Sequence, residues 1–461
     1  MAKTSTAQAE SAATRVAAES NALALFHPCT QAWFTEAFAN PTRVQSESWP
    51  FLRRGESSLM LAPTGSGKTL AAFLAALDGL LFGEKKSEPG VKVIYISPLK
   101  ALGVDVDRNL RAPLAGISAV AAREGTAHNT VTVAIRSGDT ESRERARMLK
   151  EPPDVLITTP ESLYLMLTSR ARDILQGVET IILDEIHTMV PTKRGTHLFL
   201  SLERLEQLRR QQLPGIRPMQ RIGLSATQRP LGEVARLMGG FEHKKNSQSQ
   251  PRTVQIIDAS EKRPFELTIC MPLGDQVDQP ADEFNVVGNA ATSPVPASIW
   301  PAIYPRLVAL IGDHRSTMIF VNSRRLAERL AASINETAEQ DLARAHHGSM
   351  SKDTRSEVED RLKRGDLRAI VATSSMELGI DMGAVDLVIQ VEAPPSISSG
   401  LQRIGRAGHS VGAVSKGIVF PKYRGDLLSA AAAARQMLNG QVESSAYLLS
   451  LIHISEPTRR S

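Results

Sequence analysis

Two short segments of this chain hold residue types that handle phosphate. Ala62-Pro63-Thr64-Gly65-Ser66-Gly67-Lys68-Thr69 follows a short apolar run and opens a helix-like stretch. Backbone N–H groups at a helix N-terminus cradle phosphate oxygens, and glycines let the backbone come close. In that arrangement Thr64, Gly65, Ser66 and Gly67 wrap the phosphates of a nucleotide, the Lys68 ammonium reaches the β- and γ-phosphates, and the Thr69 hydroxyl ligates Mg²⁺. Ala62 stands where the general P-loop pattern has its first glycine. The second segment is Ile181-Ile182-Leu183-Asp184-Glu185-Ile186-His187. It puts two carboxylates at the end of an apolar strand, which in an open α/β sheet is the ligand-binding edge. Asp184 is expected to hold Mg²⁺, directly or through water, and Glu185 to orient and deprotonate an attacking water. His187 reads equally as a satisfied turn histidine or as a coupling residue.

These segments need a scaffold, and the rest of the chain reads as one. Short β-rich runs recur at Ser58–Leu61, Val93–Ile96, Val131–Ile135, Val155–Thr158, Thr180–Leu183 and Ile222–Leu224, each followed by a turn or helix signal. Unbroken apolar runs of this kind are how buried parallel strands read. The alternation resumes at Thr317–Val321, Ala369–Ala372, Leu387–Gln390 and Gly417–Phe420. Between the two halves, Val254–Ile257 and Phe265–Ile269 read as the strands of a hairpin, and Met271–Ser298 as a polar loop or insertion. The expected organisation is a flexible arm over 1–24, one α/β domain over 25–250, a hairpin and linker over 251–298, and a second α/β domain over 299–447.

Composition narrows the classes. The 461 residues carry 54 Lys and Arg against 49 Asp and Glu, a formal net charge of +5. That balance permits a polyanionic partner without requiring one. Cys29 and Cys270 are the whole cysteine complement, too few for a zinc cluster or a disulfide scaffold, and they fit a reducing cytoplasm. The longest apolar stretch, Leu70–Phe82, is broken by Asp78 and too short to span a bilayer. Arg143-Glu144-Arg145-Ala146-Arg147 reads as a solvated helix face, and Lys244-Lys245 as a surface pair.

Taken together, Asp184-Glu185-Ile186-His187, Ser225-Ala226-Thr227 and Gln402-Arg403-Ile404-Gly405-Arg406-Ala407-Gly408-His409 resemble, in order and spacing, the motifs of superfamily 2 helicases. The chain is most similar to the large helicase-related (Lhr) proteins. That likeness is supported by Ser97-Pro98-Leu99-Lys100-Ala101-Leu102, Arg136-Ser137-Gly138-Asp139-Thr140, Thr159-Pro160-Glu161-Ser162-Leu163 and Phe420-Pro421-Lys422-Tyr423-Arg424-Gly425-Asp426. It runs over about residues 26–447. The resemblance implies two tandem RecA-like domains with ATP in the cleft between them. It implies that Gln45 reads the adenine edge and that Phe26 either stacks on the base or belongs to the core. Gly379 and Asp381 would contact the ribose and phosphates, Arg403 and Arg406 would face the γ-phosphate, and His187, Ser225 and Thr227 would couple hydrolysis to movement. A fixed planar cation that meets the transferring phosphoryl is worth about 10³–10⁵ in rate.

By the same resemblance, a single strand would lie along Pro98, Lys100, Arg136, Thr140, Thr159 and Pro160 in the first half. In the second it would meet Asn322, Ser323, Arg324, His347, Gly348, Thr373 and Ser374. Such tracks hold phosphates rather than read bases, and aromatic residues, at 4% of the chain, are sparse for stacking. The implied function is ATP-dependent 3′→5′ translocation on single-stranded DNA and unwinding, of a DNA-repair type, with Mg²⁺, no membrane partner and a cytoplasmic location. An RNA or RNA–DNA hybrid helicase is an alternative, as is a nucleic-acid-binding fragment uncoupled from ATP. A small-molecule P-loop kinase fits less well, because Arg403, Arg406 and a second α/β half have no place in it. Members of the family are much longer. Residues 448–461 do not resemble them and read as translated adapter sequence, so a truncated reading frame with a non-native tail is expected.

Overall fold

A computed structural model describes residues 22–63, 65–84, 90–213, 215–226, 229–243, 249–260, 265–271, 299–377, 385–408 and 414–444. The chain divides into two compact units, Met1–Glu261 and Lys262–Glu443.

In the first unit the apolar runs become β1 (Ser58–Leu61), β2 (Val93–Ile96), β3 (Val133–Arg136), β4 (Val155–Thr158), β5 (Thr180–Leu183) and β6 (Gln220–Ser225). A small antiparallel pair follows, β7 (Phe241–His243) with β8 (Ser249–Pro251), and then β9 (Gln255–Asp258). The main sheet has the order β3-β4-β2-β5-β6-β1-β9, and every pairing in it is parallel. Successive side chains face opposite sides. Leu59, Ile94, Leu156 and Ile181 therefore enter one core layer, and Met60, Tyr95, Val155, Ile157 and Ile182 enter the other. The helix Lys68–Phe82 packs Ala71, Phe73, Leu74, Leu77 and Leu81 into that second layer.

The second unit repeats the plan with β10 (Phe265–Ile269), β11 (Thr317–Phe320), β12 (Ala343–His346), β13 (Ala369–Ala372), β14 (Leu387–Val391) and β15 (Ser415–Phe420). Their order is β10-β15-β14-β11-β13-β12, again all parallel. The hairpin expected from Val254–Ile257 and Phe265–Ile269 is not formed. β9 pairs in parallel with β1, Leu61 opposite Asp258, while β10 pairs in parallel with β15, Leu267 opposite Gly417. The two runs are edge strands of different sheets. Periodicity identifies a strand but is silent on its partner, and the segment between them lacks the two-residue turn that specifies a hairpin. Among the described residues no helix is long and apolar enough to cross a membrane.

Because the strands are parallel, their carboxyl ends share one edge of each sheet. In the first unit the phosphate loop leaves β1, Ser225 ends β6 and Asp184 follows β5, on three adjacent strands. At the other half of that edge, Arg136 ends β3 and the loops after β2 and β4 carry Pro98 and Thr159.

Asp78, which interrupts the apolar stretch, is buried inside this scaffold. It accepts from Arg53 Nη2 at 2.8 Å and from the His27 backbone N–H at 2.9 Å, tying the amino-terminal helices to the helix after the phosphate loop. Asp78→Ala leaves a charged donor without its acceptor. Urea unfolding should show a loss of roughly 2 kcal/mol; an unchanged midpoint would mean the tie carries no stability.

Candidate active site

The phosphate loop is shaped by two left-handed residues, Gly65 at φ +78° and Gly67 at φ +85°. Gly67 caps the helix Lys68–Phe82, and a Cβ there would lie 2.6 Å from Gln45 Nε2. The loop is braced from the helix Arg43–Arg53. Gln45 Oε1 accepts from the Thr42 N–H at 2.8 Å, Gln45 Nε2 donates to the Gly67 carbonyl at 3.4 Å, and Thr42 Oγ1 donates to the Ser66 carbonyl at 2.8 Å. Gln45 is buried; its amide nitrogen supports the loop, and its amide oxygen caps the helix Arg43–Arg53 at Thr42. Lys68 Nζ turns back into the loop, donating to the Ala62 carbonyl and to that of Pro63 at 2.8 Å. Thr69 is the second residue of the helix. Thr64 lies outside the described residues.

Across β6 sit the carboxylates. Asp184 Oδ1 accepts from the Glu185 N–H at 2.9 Å, and Oδ2 accepts from the Tyr95 hydroxyl. Burial, and then the neighbouring Glu185 charge, push the Asp184 carboxyl up to about 7. Burial and Asp184 push the Tyr95 phenol well up, which keeps it a donor. Glu185 itself adopts φ 46°, ψ 44°, a left-handed conformation that costs a residue with a Cβ on the order of 1 kcal/mol. Its Oε2 lies 3.4 Å from His187 Nδ1, which lies 3.3 Å from Ser225 Oγ. The two carboxylates, His187 and Ser225 thus form one connected chain from β5 to β6; Thr227 lies outside the described residues.

The donor set suits a hard divalent cation. Asp184 is a half-buried carboxylate whose pKa is raised by desolvation and then by a like charge, which a cation would relieve, and Ser66 Oγ is a buried polar atom with no hydrogen-bond partner in the loop. Among the described residues no three His, Cys, Asp or Glu side chains converge on a metal position.

The loops after β2, β3 and β4 form a second cluster. Thr159 caps the helix Pro160–Leu167, accepting from the Ser162 N–H, and Thr140 Oγ1 accepts from the Ser137 N–H at 2.9 Å. The Pro98 carbonyl accepts from Arg194 Nη1 at 2.6 Å, and Arg194 also pairs with Glu161. Lys100 opens the helix Lys100–Arg123; its side chain lies outside the description. Arg136 is the notable member. Its Nη1 is buried with no hydrogen-bond partner, and its guanidinium is pushed down by burial and by the neighbouring Arg145 charge. Arg145 donates to the Ser137 and Gly138 carbonyls and buries its own Nε without a partner. The solvated face expected around Arg143–Arg147 therefore holds for its flanks, while Arg145 turns into the loop.

In the second unit the predicted strand-contact residues sit after β11, β12 and β13, three neighbouring strands. Ser323 caps the helix Arg324–Ala338, Arg324 donates to Ser349 Oγ at 2.5 Å, and His347 Nε2 lies 2.7 Å from Glu328. Gly348 and Ser374 are exposed, and Thr373 is buried. Asn322 donates to the Ala393 carbonyl at 2.9 Å. Gly379, Asp381 and His409 lie outside the described residues, as do Lys244 and Lys245.

Two residues carried over from the resemblance find their partners here. Arg403 is only 2% exposed. Its Nε and Nη2 donate to Glu377, and its Nη1 donates to Gln390 Oε1 at 2.8 Å and to Asn322 Oδ1 at 3.1 Å. The guanidinium lies over the Phe320 ring. In this structure the guanidinium is neutralised and enclosed within the second unit, where it braces the segments that carry Glu377, Gln390 and Asn322. Arg406 Nη2 donates to the Glu377 carbonyl at 2.7 Å, so Glu377 organises both arginines. Of the two alternatives for Phe26, the structure shows the core one: it packs edge-on against Trp49 with ring centroids 4.9 Å apart.

Sequence reading missed Tyr95, Thr42, Arg145, Glu377 and Gln390. One signal was present. A tyrosine in an otherwise aliphatic strand needs a partner for its hydroxyl.

Comparison with known proteins agrees with this geometry. Residues 42–234 match the DEAD/DEAH box helicase family and 302–410 the helicase conserved C-terminal domain, together well over half of the chain. The Lhr helicase/probable uracil glycosylase of Mycolicibacterium smegmatis is 49% identical over 92% of this chain and 28% of its own length. The Lhr helicase/uracil glycosylase of Escherichia coli is 45% identical over 91% of this chain and 29% of its own. The solved structure of Mycobacterium smegmatis helicase Lhr bound to ssDNA and AMP-PNP superposes with a TM-score of 0.79 at 49% identity, covering 92% of this chain and 51% of that one. The chain thus spans less than a third of those two curated relatives, and each of its units is a RecA-like domain. It belongs to the DEAD/DEAH-box type of superfamily 2 helicases, alongside the large helicase-related (Lhr) proteins.

Proposed function

We propose that this chain is the motor core of an ATP-dependent DNA helicase: it hydrolyses ATP to ADP and phosphate when single-stranded nucleic acid is bound. One observation carries the reading. The Lys68 loop, the Asp184–Glu185 pair and the His187–Ser225 link lie on three adjacent parallel strands and form a connected set. Lys68 and the loop N–H groups bind the phosphates, with Ser66 and Thr69 as hydroxyl partners. Asp184 and Thr69 would hold Mg²⁺, which when bound neutralises phosphate charge. Glu185 orients the water and takes its proton. His187 and Ser225 carry the state of that carboxylate to the end of β6.

The strand partner is supported by charge. Arg136 and Arg145 place two guanidiniums beside each other, and among the described residues neither has an acidic partner; a backbone phosphate would supply one. The relative solved with ssDNA favours DNA over RNA or a hybrid. Movement 3′→5′ and a repair setting rest on the likeness to the large helicase-related proteins. The two free cysteines, Cys29 and Cys270, support a cytoplasmic location.

ATP turnover by the chain should rise strongly when single-stranded DNA is added at low salt. In Lys68→Ala both basal and stimulated turnover should vanish. Glu185→Gln should still bind nucleotide yet hydrolyse it at least about 10²-fold more slowly. Stimulated turnover that survives in either variant contradicts the site. Absence of stimulation in the parent chain would favour the uncoupled fragment.

Arg136→Ala and Arg145→Ala should each weaken strand binding regardless of base sequence. Each should also reduce the slope of log affinity against log salt by about one phosphate's worth, roughly 0.7. An unchanged slope removes these residues from the track.

Arg403 and Arg406 should separate. Arg403→Ala leaves the largely enclosed Glu377 carboxylate without its cation and should destabilise the second unit by about 3–5 kcal/mol. Arg406→Ala leaves that ion pair in place, and it should instead lower turnover by about 10³ or more while the chain still unfolds near the parent midpoint. The reverse pattern would make Arg403 the catalytic cation.

A further inference from the structure

Tyr95 stands out among the residues of β2. Packing alone asks only for an apolar residue at this position, since Val93, Ile94 and Ile96 around it are buried aliphatics. The tyrosine is fully buried all the same, and its hydroxyl donates to Asp184 Oδ2. The strand register brings the two together. Tyr95 lies opposite Ile182 on β5, and Asp184, two residues on, shares that face of the sheet. The other oxygen, Asp184 Oδ1, accepts the Glu185 N–H at 2.9 Å. With a donor on each oxygen the carboxylate cannot swing about its terminal torsion. The ring also stacks on Phe73, centroids 5.1 Å apart and planes 23° from parallel, and Phe73 belongs to the helix that the phosphate loop caps.

We propose that Tyr95 is a positioning residue for the metal half of the nucleotide site, holding Asp184 in the orientation that receives the cation of a metal–nucleotide complex. The proposal rests on the reading of Asp184 as the metal-holding carboxylate. Tyr95 acts through Asp184 and touches neither nucleotide nor water itself. Its stack on Phe73 ties that orientation to the helix carrying Lys68 and Thr69, so the cation-binding and phosphate-binding halves keep their spacing. Partners that orient metal-holding groups are commonly worth 10–100-fold in metal affinity.

Tyr95→Phe removes one oxygen and keeps both the ring and its stack. The measurement is the affinity of the full chain for a fluorescent non-hydrolysable ATP analogue, once with excess Mg²⁺ and once with chelator, alongside the parent and Lys68→Ala. In chelator, Tyr95→Phe should bind like the parent, which also reports an intact fold. The gain in affinity on adding Mg²⁺ should fall by about tenfold. An equal or larger Mg²⁺-dependent gain overturns the proposal, and so does a loss of the same size with and without metal, which is the mark of a general packing defect. If the parent shows no Mg²⁺-dependent gain and Lys68→Ala binds as well as the parent, the nucleotide-site reading fails, and the proposal with it. That result is distinct from a failure of Tyr95 alone.

Discussion

A strand in a parallel sheet can deliver its carboxyl end to one edge only, and the functional geometry of this chain follows from that constraint. Every pairing in both main sheets is parallel, so every loop that leaves a strand carboxyl end opens on a common edge. Helices between the strands cover both faces, which leaves that edge as the place where polar groups can converge without disturbing a core. Strand order then sorts the loops. In the first unit β5, β6 and β1 place the carboxylates, Ser225 and the phosphate loop side by side, while β3, β4 and β2 gather Arg136, Thr159 and Pro98. Residues more than a hundred positions apart in the chain meet because their strands are neighbours.

Within this frame, how each buried charge is balanced separates structural groups from poised ones. Arg209 faces Glu206 at 3.1 Å, Arg221 faces Glu203 at 2.8 Å and Arg403 faces Glu377. Where both partners are enclosed, as in Arg209–Glu206, removing one costs about 3–5 kcal/mol, so such pairs brace the fold. Asp184 and Arg136 are different. Asp184 lies half-buried beside the buried Glu185 carboxylate, and the charge near Arg136 is another arginine. Fields left uncompensated in this way suit a site that waits for an ion of opposite sign, a cation for the first and a phosphate for the second.

The link between the carboxylates and Ser225 shows how chemistry on one strand can be felt on another. Glu185 is held in a left-handed conformation that its side chain does not favour, and its carboxylate reaches His187, which reaches Ser225. A strained backbone persists only where the surroundings over-determine it. Here the Glu185 N–H is fixed on Asp184, and Asp184 is fixed by Tyr95 from the next strand. A change at the Glu185 carboxylate therefore has a short, rigid route to the end of β6.

Much of this was legible in the residues alone. The phosphate loop, the acidic strand end and the run of unbroken apolar strands each carry a local signal: glycines for close approach, paired carboxylates after a strand, aliphatic runs bounded by turns. Local signals are read along the chain, and they pointed to the α/β class, to two halves and to the phosphate loop and acidic strand end that the sheet brings onto adjacent strands. They could not say that Val254–Ile257 and Phe265–Ile269 would join different sheets, because pairing is chosen by the edge each strand can fill. Nor could they turn Arg403 inward, since burial of a guanidinium depends on whether a carboxylate such as Glu377 arrives from another loop. The partner of the Tyr95 hydroxyl was hidden for the same reason. A single residue type announces which contacts it needs, and only the folded register of β2 against β5 decides which group supplies them.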